Sequence, residues 1–394
     1  MREVPGLHFS LQEYSSRLAR VREQMAKRGI DLLVLSDPCN IYYVSGYDAW
    51  SFYVPQVLLV PLEGEPAWIG REMDAGGAHL TSCIEADDIL SYGDQFVQAA
   101  DAHPMSHVAS VIRDRGWAAK RIAPELGSYY LGVRAYETLR SELREASWLD
   151  GSLLVNWVRA VKSDAELKYM RECARIIEGV MRVALEQARP GVRQCDVAAE
   201  IYRALMRGTP EYGGQYTSTP PLTPTGARVN NPHLSWTSDI YRNDSLANFE
   251  LVASRHRYHM PLSRSLYFGK PPAQTRNLEA ATLDGIANVL EKLGPGMTAA
   301  EAEGLWQGAA AKFGVRKRAR CGYSIGIAYP PTFGEQTFSL RPGDDTVLQK
   351  NMTMHLMPAV WQEGVSIVIT EPLVITERGC ETFCRFERRL FVVD

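Results

Sequence analysis

Cysteine is the first residue type whose spacing in this chain could support chemistry, because thiolates bind zinc and form disulfides. Cys380 and Cys384 lie close together, but no histidine or further cysteine lies near them. A structural zinc site needs a fuller set of such ligands, so none is expected here. The seven cysteines are scattered and odd in number, which favours reduced thiols in the cytoplasm over a disulfide framework.

The length and charge of the chain indicate how many domains it has and which kinds of binding partner to expect. A chain of 394 residues is long enough for two domains that each bury a core. Its 43 basic and 46 acidic residues nearly cancel, and no basic run stands out, so neither nucleic acid nor an anionic membrane is an expected partner. The N-terminal region lacks an apolar signal core, and no stretch approaches the ~20 apolar residues of a membrane span. We therefore expect a soluble, cytoplasmic, globular protein.

The first half of the chain alternates helical patterns with strand-like apolar runs. Helical spacing covers about residues 10–28 and recurs near 103–115 and 134–145. Strand-like runs occur at Asp31–Ser36, Gln56–Leu62 and Pro66–Ile69. This alternation predicts a small mixed sheet flanked by helices.

The segment Leu149–Lys162 is the predicted connector between two domains, which we place at residues 1–155 and 156–394. Directly behind it, Ser163 and Glu166 have the spacing of a capping box, in which the serine caps a helix and the glutamate bonds back to it. A long helix with a buried apolar stripe is therefore predicted to begin there.

The second half contains a faint internal repeat. Gly179 leads to Pro190-Gly191 and a helix that ends at Gly208, whereas Gly285 leads to Pro295-Gly296 and a helix that ends at Gly314. Strand-like sequence follows each copy. A duplicated α-β unit of this kind usually buries its strands in one shared sheet and leaves a cleft where the halves meet.

Five motifs of the chain add up to a family resemblance. They are Asn40–Tyr47 (NIYYVSGY), Val158–Ser163 (VRAVKS), Tyr258–Phe268 (YHMPLSRSLYF), Cys321–Gly326 (CGYSIG) and Met352–Pro358 (MTMHLMP). Together they cover nearly the whole chain and resemble the superfamily of creatinases, prolidases and aminopeptidases P. The resemblance implies an α/β protein with a creatinase-like N-terminal domain and a C-terminal pita-bread domain.

The resemblance also locates the two-metal site of the peptidase members, which is built from two Asp, one His and two Glu side chains. This chain carries Glu250, Pro261, Tyr323, Met357 and Thr370 at those positions. Pro and Met cannot bind a hard cation, and only one carboxylate remains. The neighbouring His259, His355 and Glu371 do not restore a ligand set of familiar spacing, so no metal and no other cofactor is expected.

The resemblance to creatinases implies that enzymes of this fold can hydrolyse a carbon–nitrogen bond without a metal. They do so with a histidine and carboxylates. The creatinase histidine falls on His233. Both carboxylates expected at the guanidinium site are replaced, by Ser263 and Met357, and the arginine that grips the creatine carboxylate aligns with Val54. Creatine is therefore disfavoured as the substrate.

Further segments carry a narrower resemblance that runs from end to end. They are Gly46–Tyr53, Pro232–Trp236, Arg257–Arg264, Tyr329–Pro331, Ser339–Asp344 and Arg389–Val392. They resemble the ectoine hydrolases of this superfamily, which open the cyclic amidine of ectoine to N-acetyl-diaminobutyrate. The segments Gln215–Thr219, Pro358–Ala359 and Ser366–Val368 depart from what that resemblance implies. The substrate therefore stays open between ectoine, 5-hydroxyectoine and another small amidine or guanidine; an Xaa-Pro peptidase and a non-catalytic binding protein are the alternatives from other classes.

Glu250 is the one carboxylate that the resemblance retains at the former metal cleft. It suits pairing with an amidinium and either attacking its C2 carbon or activating a water; a structural ion pair with Arg255 or Arg264 is the alternative. His233 is the predicted proton shuttle, unless it is a loop histidine. Tyr323 is the predicted hydrogen-bond donor to the tetrahedral intermediate, unless it is a core tyrosine.

The remaining predictions concern substrate binding in a homodimer. The predicted substrate-binding residues are Trp50, Phe52, Tyr53, Tyr216, Arg264, His355 and Met357. The resemblance implies that the loop Trp50–Tyr53 reaches into the active site of the partner subunit, where an aromatic wall gives cation–π contact with a planar amidinium. Interface packing is the alternative for these rings. The substrate also bears a carboxylate, which requires a cation or clustered N–H groups, and no anchor is identified.

Overall fold

The computed structural model describes residues 1–362 and 364–393. The chain forms two compact units, Met1–Arg159 and Ala160–Asp394. The division falls at the end of the short helix Leu154–Ala160, inside the predicted connector. The predicted domain boundary, between residues 155 and 156, lies within the same helix.

A six-stranded mixed sheet forms the centre of the first unit. Its strands are β1 Leu32–Leu35, β2 Val57–Pro61, β3 Ala67–Arg71, β4 Ile89–Tyr92, β5 Arg121–Pro124 and β6 Ser147–Trp148. They are arranged in the order β4-β3-β2-β1-β5-β6, and β1 pairs antiparallel with β2 but parallel with β5. Both β1 and β2 are buried along their whole length, as their unbroken apolar sequences require. The predicted mixed sheet is confirmed.

The helices of the first unit are not all capped by side chains, but the first of them is capped at both ends. They are α1 Leu11–Arg28, α2 Pro38–Ser45, α3 Glu72–Thr81, α4 Pro104–Asp114, α5 Val133–Glu142 and α6 Leu154–Ala160. The Ser10 hydroxyl accepts a hydrogen bond from the Glu13 N–H at the start of α1, and Gly29 ends the helix with a φ of 67°. The signature asparagine Asn40 of α2 accepts a hydrogen bond from Arg159 Nε at 2.9 Å, which ties α2 to α6.

The second unit repeats a pair of helices. The first pair is α7 Asp164–Gln187 and α8 Gln194–Arg207, and the second is α9 Ala273–Lys292 and α10 Ala299–Ala310. The glycines of the two Pro-Gly turns, Gly191 and Gly296, adopt matching φ angles of 87° and 90°. The capping box of Ser163 and Glu166 is formed at the start of α7. The predicted helix repeat is therefore confirmed.

A long antiparallel hairpin follows each helix pair. The strands of the second unit are β7 Ser245–Arg255, β8 Tyr258–Phe268, β9 Gly322–Tyr329, β10 Thr332–Ser339, β11 Thr353–Leu356, β12 Val360–Gln362, β13 Val365–Ile367, β14 Glu371–Ile375, β15 Cys380–Thr382 and β16 Phe391–Val393. The hairpins β7–β8 and β9–β10 belong to one sheet with the path β15-β14-β11-β9-β8-β16. This sheet contains strands from both copies of the repeat.

The helices α9 and α10 pack their apolar faces together and against this sheet. Ile286 and Trp306 belong to one buried cluster with Met354 of β11 and Leu373 of β14. Gly285 permits the close approach, because a Cβ there would lie 2.3 Å from Trp306 Nε1. Among the residues that the structure describes, no helix has the length and apolar character required to cross a membrane.

Candidate active site

Strand pairing gathers the positions at which the peptidase relatives are expected to hold metal. Glu250 of β7 lies directly opposite Ser263 of β8. The Ser263 N–H in turn donates a hydrogen bond to Thr370 Oγ1 at 2.9 Å. On the next pair of strands, Tyr323 of β9 lies opposite His355 of β11. The two hairpins of the repeat thus contribute facing parts of one site.

These strands contribute to the wall of a cavity of about 640 Å³, a size that suits a small molecule. Glu250, His233, Tyr323 and Met357 line it. The structure therefore brings the three predicted catalytic residues together with one predicted binding residue. Aromatic side chains, among them Trp361, cover other parts of the wall.

Glu250 is a nearly buried carboxylate, with 8% of its surface exposed. Burial raises the pKa of its carboxyl to about 7, although the nearby Lys317 ammonium opposes the rise. The structural ion pair considered as an alternative is not formed, because Arg255 bonds to Glu172 and Arg264 bonds to Glu371. A carboxylate that is buried in a cavity wall, without such a partner, is suited to meet a cationic ligand.

The Tyr323 hydroxyl lies between two other side chains of the site. It is 3.1 Å from His355 Nδ1 and 3.7 Å from Met357 Sδ. Burial raises the pKa of Tyr323 well above its usual value, so the phenol stays protonated. Burial, together with the Arg320 and Arg264 charges, lowers the pKa of His355 to about 3, so its imidazole stays neutral. His355 is not among the described residues that line the cavity, but it contacts Tyr323, which does line it.

Arg264, a predicted binding residue, and His259, considered as a metal ligand, both bond to groups in the interior of the protein. The Arg264 guanidinium is fully buried and donates to Glu371 Oε1 at 2.7 Å and to the backbone oxygens of Ser263, Thr370, Phe386 and Glu387. It does not reach the cavity, and its donors are already used. His259 is also buried: its Nε2 accepts a hydrogen bond from the Ser218 N–H at 3.0 Å, and burial lowers its pKa to about 4.

The aromatic binding candidates are not among the described residues that line this cavity. Tyr216 stacks on Arg257, whose guanidinium carbon is 4.1 Å from the ring centre. Trp50, Phe52 and Tyr53 line a separate pocket of about 290 Å³ in the first unit. Phe52 contacts both Trp50 and Tyr53, with ring centres 5.5 and 5.3 Å apart. The single chain therefore places these rings in a pocket of their own.

Sequence reasoning missed two cations of the cavity wall, Lys317 and Arg320. The signal was present, since residues 316–320 read RKRAR directly before the CGYSIG motif. The expectation that no basic run stands out is wrong for this segment. It follows α10 in an irregular stretch, so no helical or strand period indicated which of its side chains turn inward.

Side chains of α10 fix the backbone of this segment. The Gln307 amide accepts from the Lys317 N–H at 3.2 Å and donates to the Lys317 carbonyl at 2.6 Å. Glu303 orients the amide by accepting its second N–H at 2.7 Å. Burial lowers the pKa of Lys317 to about 8, and the Arg320 charge adds to this effect.

The donor set does not fit the divalent ions expected of the peptidase relatives. Pro261 offers no ligand atom, Met357 and Tyr323 offer a thioether and a protonated phenol, and Thr370 Oγ1 is engaged by the Ser263 N–H. Within residues 1–362 and 364–393, no three His, Cys, Asp or Glu side chains are grouped so that they could hold a metal ion. The chemistry below is therefore derived from side chains alone.

Comparison with known proteins assigns families to both halves of the chain. The family model of metallopeptidase family M24 matches residues 168–377. The model of the creatinase/prolidase N-terminal domain matches residues 17–161. The chain belongs to the M24 family.

Two known proteins match the chain over nearly their full length. An ectoine hydrolase of Halomonas elongata is 45% identical, with 98% of this chain and 99% of that protein covered. An uncharacterized hydrolase/peptidase of Sinorhizobium fredii is 42% identical, with the same coverage of 98% and 99%. The resemblance to ectoine hydrolases found in the sequence is thereby confirmed.

Solved structures share the fold at much lower sequence identity. A prolidase from Thermococcus sibiricus superposes with a TM-score of 0.83 at 17% identity, covering 98% of this chain and 100% of its own. An X-Pro aminopeptidase from Thermotoga maritima gives 0.80 at 17%, covering 95% and 99%. These likenesses confirm the predicted creatinase-like and pita-bread architecture.

Proposed function

We propose that this M24 protein is a hydrolase that opens the cyclic amidine ring of ectoine, or of a close analogue such as 5-hydroxyectoine, to N-acetyl-diaminobutyrate without a metal ion. The observation that carries the proposal is the buried Glu250 carboxylate in the wall of a small-molecule cavity. The full-length similarity to an ectoine hydrolase supports the substrate. The replaced donor set supports the metal-free chemistry.

The reaction consumes one water and breaks one carbon–nitrogen bond. The ring of ectoine is an amidinium whose C2 carbon is electrophilic, and the Glu250 carboxylate either attacks that carbon or removes a proton from the water that attacks it. The C2–N bond then breaks and the departing nitrogen takes up a proton. The oxygen of water ends as the acetyl carbonyl oxygen; in the covalent route, water releases the acyl group from Glu250.

Two further side chains assist in this scheme. His233 lies on the same wall and delivers the proton to the departing nitrogen. Tyr323 donates a hydrogen bond to the oxygen that gains charge in the tetrahedral intermediate. Its protonated phenol and its neutral neighbour His355 are in the states that this role requires.

The proposed enzyme acts on a small molecule in the cytoplasm, as a homodimer. In this proposal the loop Trp50–Tyr53 of one subunit covers the substrate bound to the other. Support comes from the exposure of Phe52 and Tyr53, which leave 75% and 49% of their surfaces uncovered within one chain. Large aromatic side chains exposed together are typical of contact surfaces.

Turnover tests the proposal directly. Purified protein is incubated with ectoine, 5-hydroxyectoine, creatine and Gly-Pro, and the products are followed by mass spectrometry. We expect ectoine or its hydroxylated analogue to gain the mass of one water, and creatine and Gly-Pro to stay intact. Cleavage of Gly-Pro with intact ectoine would instead establish a peptidase, and ectoine binding without turnover would establish a binding protein.

A further inference from the structure

We propose that Arg320 and Lys317 form a cationic subsite that binds the carboxylate of a zwitterionic substrate while Glu250 faces its amidinium. The inference rests on the proposed function and deepens it, because it assigns the substrate carboxylate to named residues. The cavity would then select rings that carry both charges.

The charges of the cavity wall are the first argument. Of the described residues that line the cavity, Glu250 is acidic, whereas Lys317 and Arg320 are cationic. With Glu250 ionised, the wall keeps an excess positive charge. An amidinium alone would neutralise the carboxylate and leave both cations without a counterion. A zwitterion neutralises Glu250 and contributes an anion to the cations as well.

Lys317 lines the cavity, and two contacts hold its ammonium in place. Its residue surface is 6% exposed, its Nζ donates to the Ala359 carbonyl at 2.5 Å, and it lies 4.7 Å from the centre of the Trp361 ring. An ammonium carries three N–H donors, so further donors stay available to a ligand. A partly desolvated cation of this kind gains from an incoming carboxylate.

Arg320 offers the fork geometry that carboxylates prefer. Its guanidinium carbon stacks 4.3 Å from the centre of the Tyr323 ring, and its NH1 donates to Ser339 Oγ at 3.1 Å. A guanidinium carries five N–H donors, so most of them stay available for a bidentate contact. Stacking on the ring limits the motion of the long side chain, which lowers the entropy lost on binding.

Tyr323 is influenced by both the Glu250 carboxylate and the Arg320 guanidinium. Burial and the Glu250 carboxylate raise the pKa of its phenol, while the Arg320 guanidinium acts in the opposite direction. Glu250, Arg320 and Tyr323 also line the same cavity, and the guanidinium lies over the Tyr323 ring. In ectoine the carboxylate sits on the carbon next to an amidinium nitrogen, so one bound ring can contact Glu250 through the amidinium and Arg320 through the carboxylate.

The test compares two rings and three variants. The rings are ectoine and 2-methyl-tetrahydropyrimidine, the same cyclic amidine without its carboxylate. The variants are Arg320→Met, Lys317→Met and the control Arg318→Met, which removes an exposed cation of the same segment that lines a different groove. We expect Arg320→Met to lower kcat/KM for ectoine about 10- to 100-fold, the usual value of a hydrogen bond to a charged group.

The ring without a carboxylate supplies the decisive contrast. Arg320→Met should change its kcat/KM by less than about threefold, and Arg318→Met should change neither ring. Lys317→Met should also lower ectoine selectivity, and because Lys317 is buried its thermal unfolding is measured alongside. An equal loss for both rings in Arg320→Met, or no loss for ectoine, would overturn the subsite while leaving the proposed hydrolase intact.

Calorimetric titration separates failure of the subsite from failure of the hydrolase. If the wild-type protein turns over neither ring, the proposed function fails, and binding of ectoine to wild type and to Arg320→Met is then measured. Binding that weakens at least about tenfold only in the Arg320 variant, and not in Arg318→Met, supports the subsite without turnover. Absence of ectoine binding, or binding that is insensitive to Arg320→Met, overturns it.

Discussion

The hydroxyl of Tyr323 lies 3.1 Å from His355 Nδ1, while the Nε2 of the same imidazole has no hydrogen-bond partner among the described residues. A buried N–H without an acceptor is rarer than a buried lone pair without a donor. The arrangement therefore favours the tautomer in which Nδ1–H donates to the Tyr323 oxygen. In that tautomer the phenolic hydrogen is left for Met357 Sδ, which lies 3.7 Å away on the cavity wall, or for a ligand in the cavity.

His355 is accordingly predicted to orient Tyr323 and not to touch the substrate. His355→Leu should lower kcat about 10- to 100-fold with a smaller change in KM, because a donor to the transition state loses its orientation. His355→Asn, which keeps a donor near the Nδ1 position, should recover part of the loss. Steady-state kinetics in the background of Tyr323→Phe gives the control: there His355→Leu should cost little more, and a full additional loss would contradict the coupling.

Glu250→Gln is predicted to abolish most of the turnover while the protein stays folded. The amide keeps the size of the side chain but can neither attack nor remove a proton, and loss of a general base typically costs about 10²- to 10⁴-fold. The rate of ring opening is measured together with the circular dichroism spectrum. Retention of most of the wild-type rate would assign Glu250 a structural role and leave the chemistry to another group.

The pH profile should be a narrow bell. Because the pKa of Glu250 is raised to about 7 and that of Lys317 is lowered to about 8, kcat/KM should rise through the first value and fall through the second. Lys317→Met should remove the alkaline limb from whatever activity remains. A plateau that extends from pH 5 to 10 would exclude both groups as the titrating residues.

The Glu250 carboxyl should also affect the stability of the folded protein, because its ionised form is disfavoured by burial. A carboxyl whose pKa rises from 4.5 to about 7 on folding binds more protons in the folded state, so its contribution is present below pH 4.5 and is lost as the pH rises through 7. Glu250→Gln should therefore be more stable than the wild type at pH 8, by at most about 3 kcal/mol, and equal to it near pH 4. Urea unfolding at the two pH values measures the difference.

Activity is predicted not to depend on a divalent metal ion. Elemental analysis of protein purified without added metal should find far less than one ion per chain, and EDTA should leave turnover unchanged, because the donor set keeps only one carboxylate. A tightly held divalent ion whose removal ends ectoine hydrolysis would falsify the metal-free mechanism.

The aromatic loop is predicted to complete the site of the partner subunit. Phe52→Ala should then raise KM more than it lowers kcat, because the ring encloses the substrate and moves no proton. A chain with Glu250→Gln is mixed with a chain carrying Phe52→Ala. The mixed dimer should have about half of the activity of the wild-type dimer, because one of its two sites combines an intact Glu250 with an intact loop. Lack of recovery despite proven subunit exchange would limit the loop to interface packing.

The family resemblance carried by the motifs was sufficient to predict the fold and to select Glu250, His233 and Tyr323, which line one cavity. Strand register then determines where Glu250 and Tyr323 lie in the shared sheet. Arg264 was misplaced as a binding residue for a different reason. Its direction is set by Glu371 and by carbonyl groups of the segment Phe386–Glu387, which are more than a hundred residues away in the chain. Lys317 and Arg320 lie in an irregular segment, where the amide of Gln307 and not any sequence period fixes the backbone.

The duplicated helix–hairpin architecture distributes the residues of the proposed reaction over two pieces of chain. Glu250 belongs to the hairpin of the first copy, whereas Lys317, Arg320 and Tyr323 belong to the second, and the exposed residues Lys270 and Pro272 join the copies. Neither copy alone contains both the carboxylate proposed to attack and the two cations that line the same cavity. Cut at this linker, the chain would become a split reporter, in which ring opening signals that two separately expressed fragments have met.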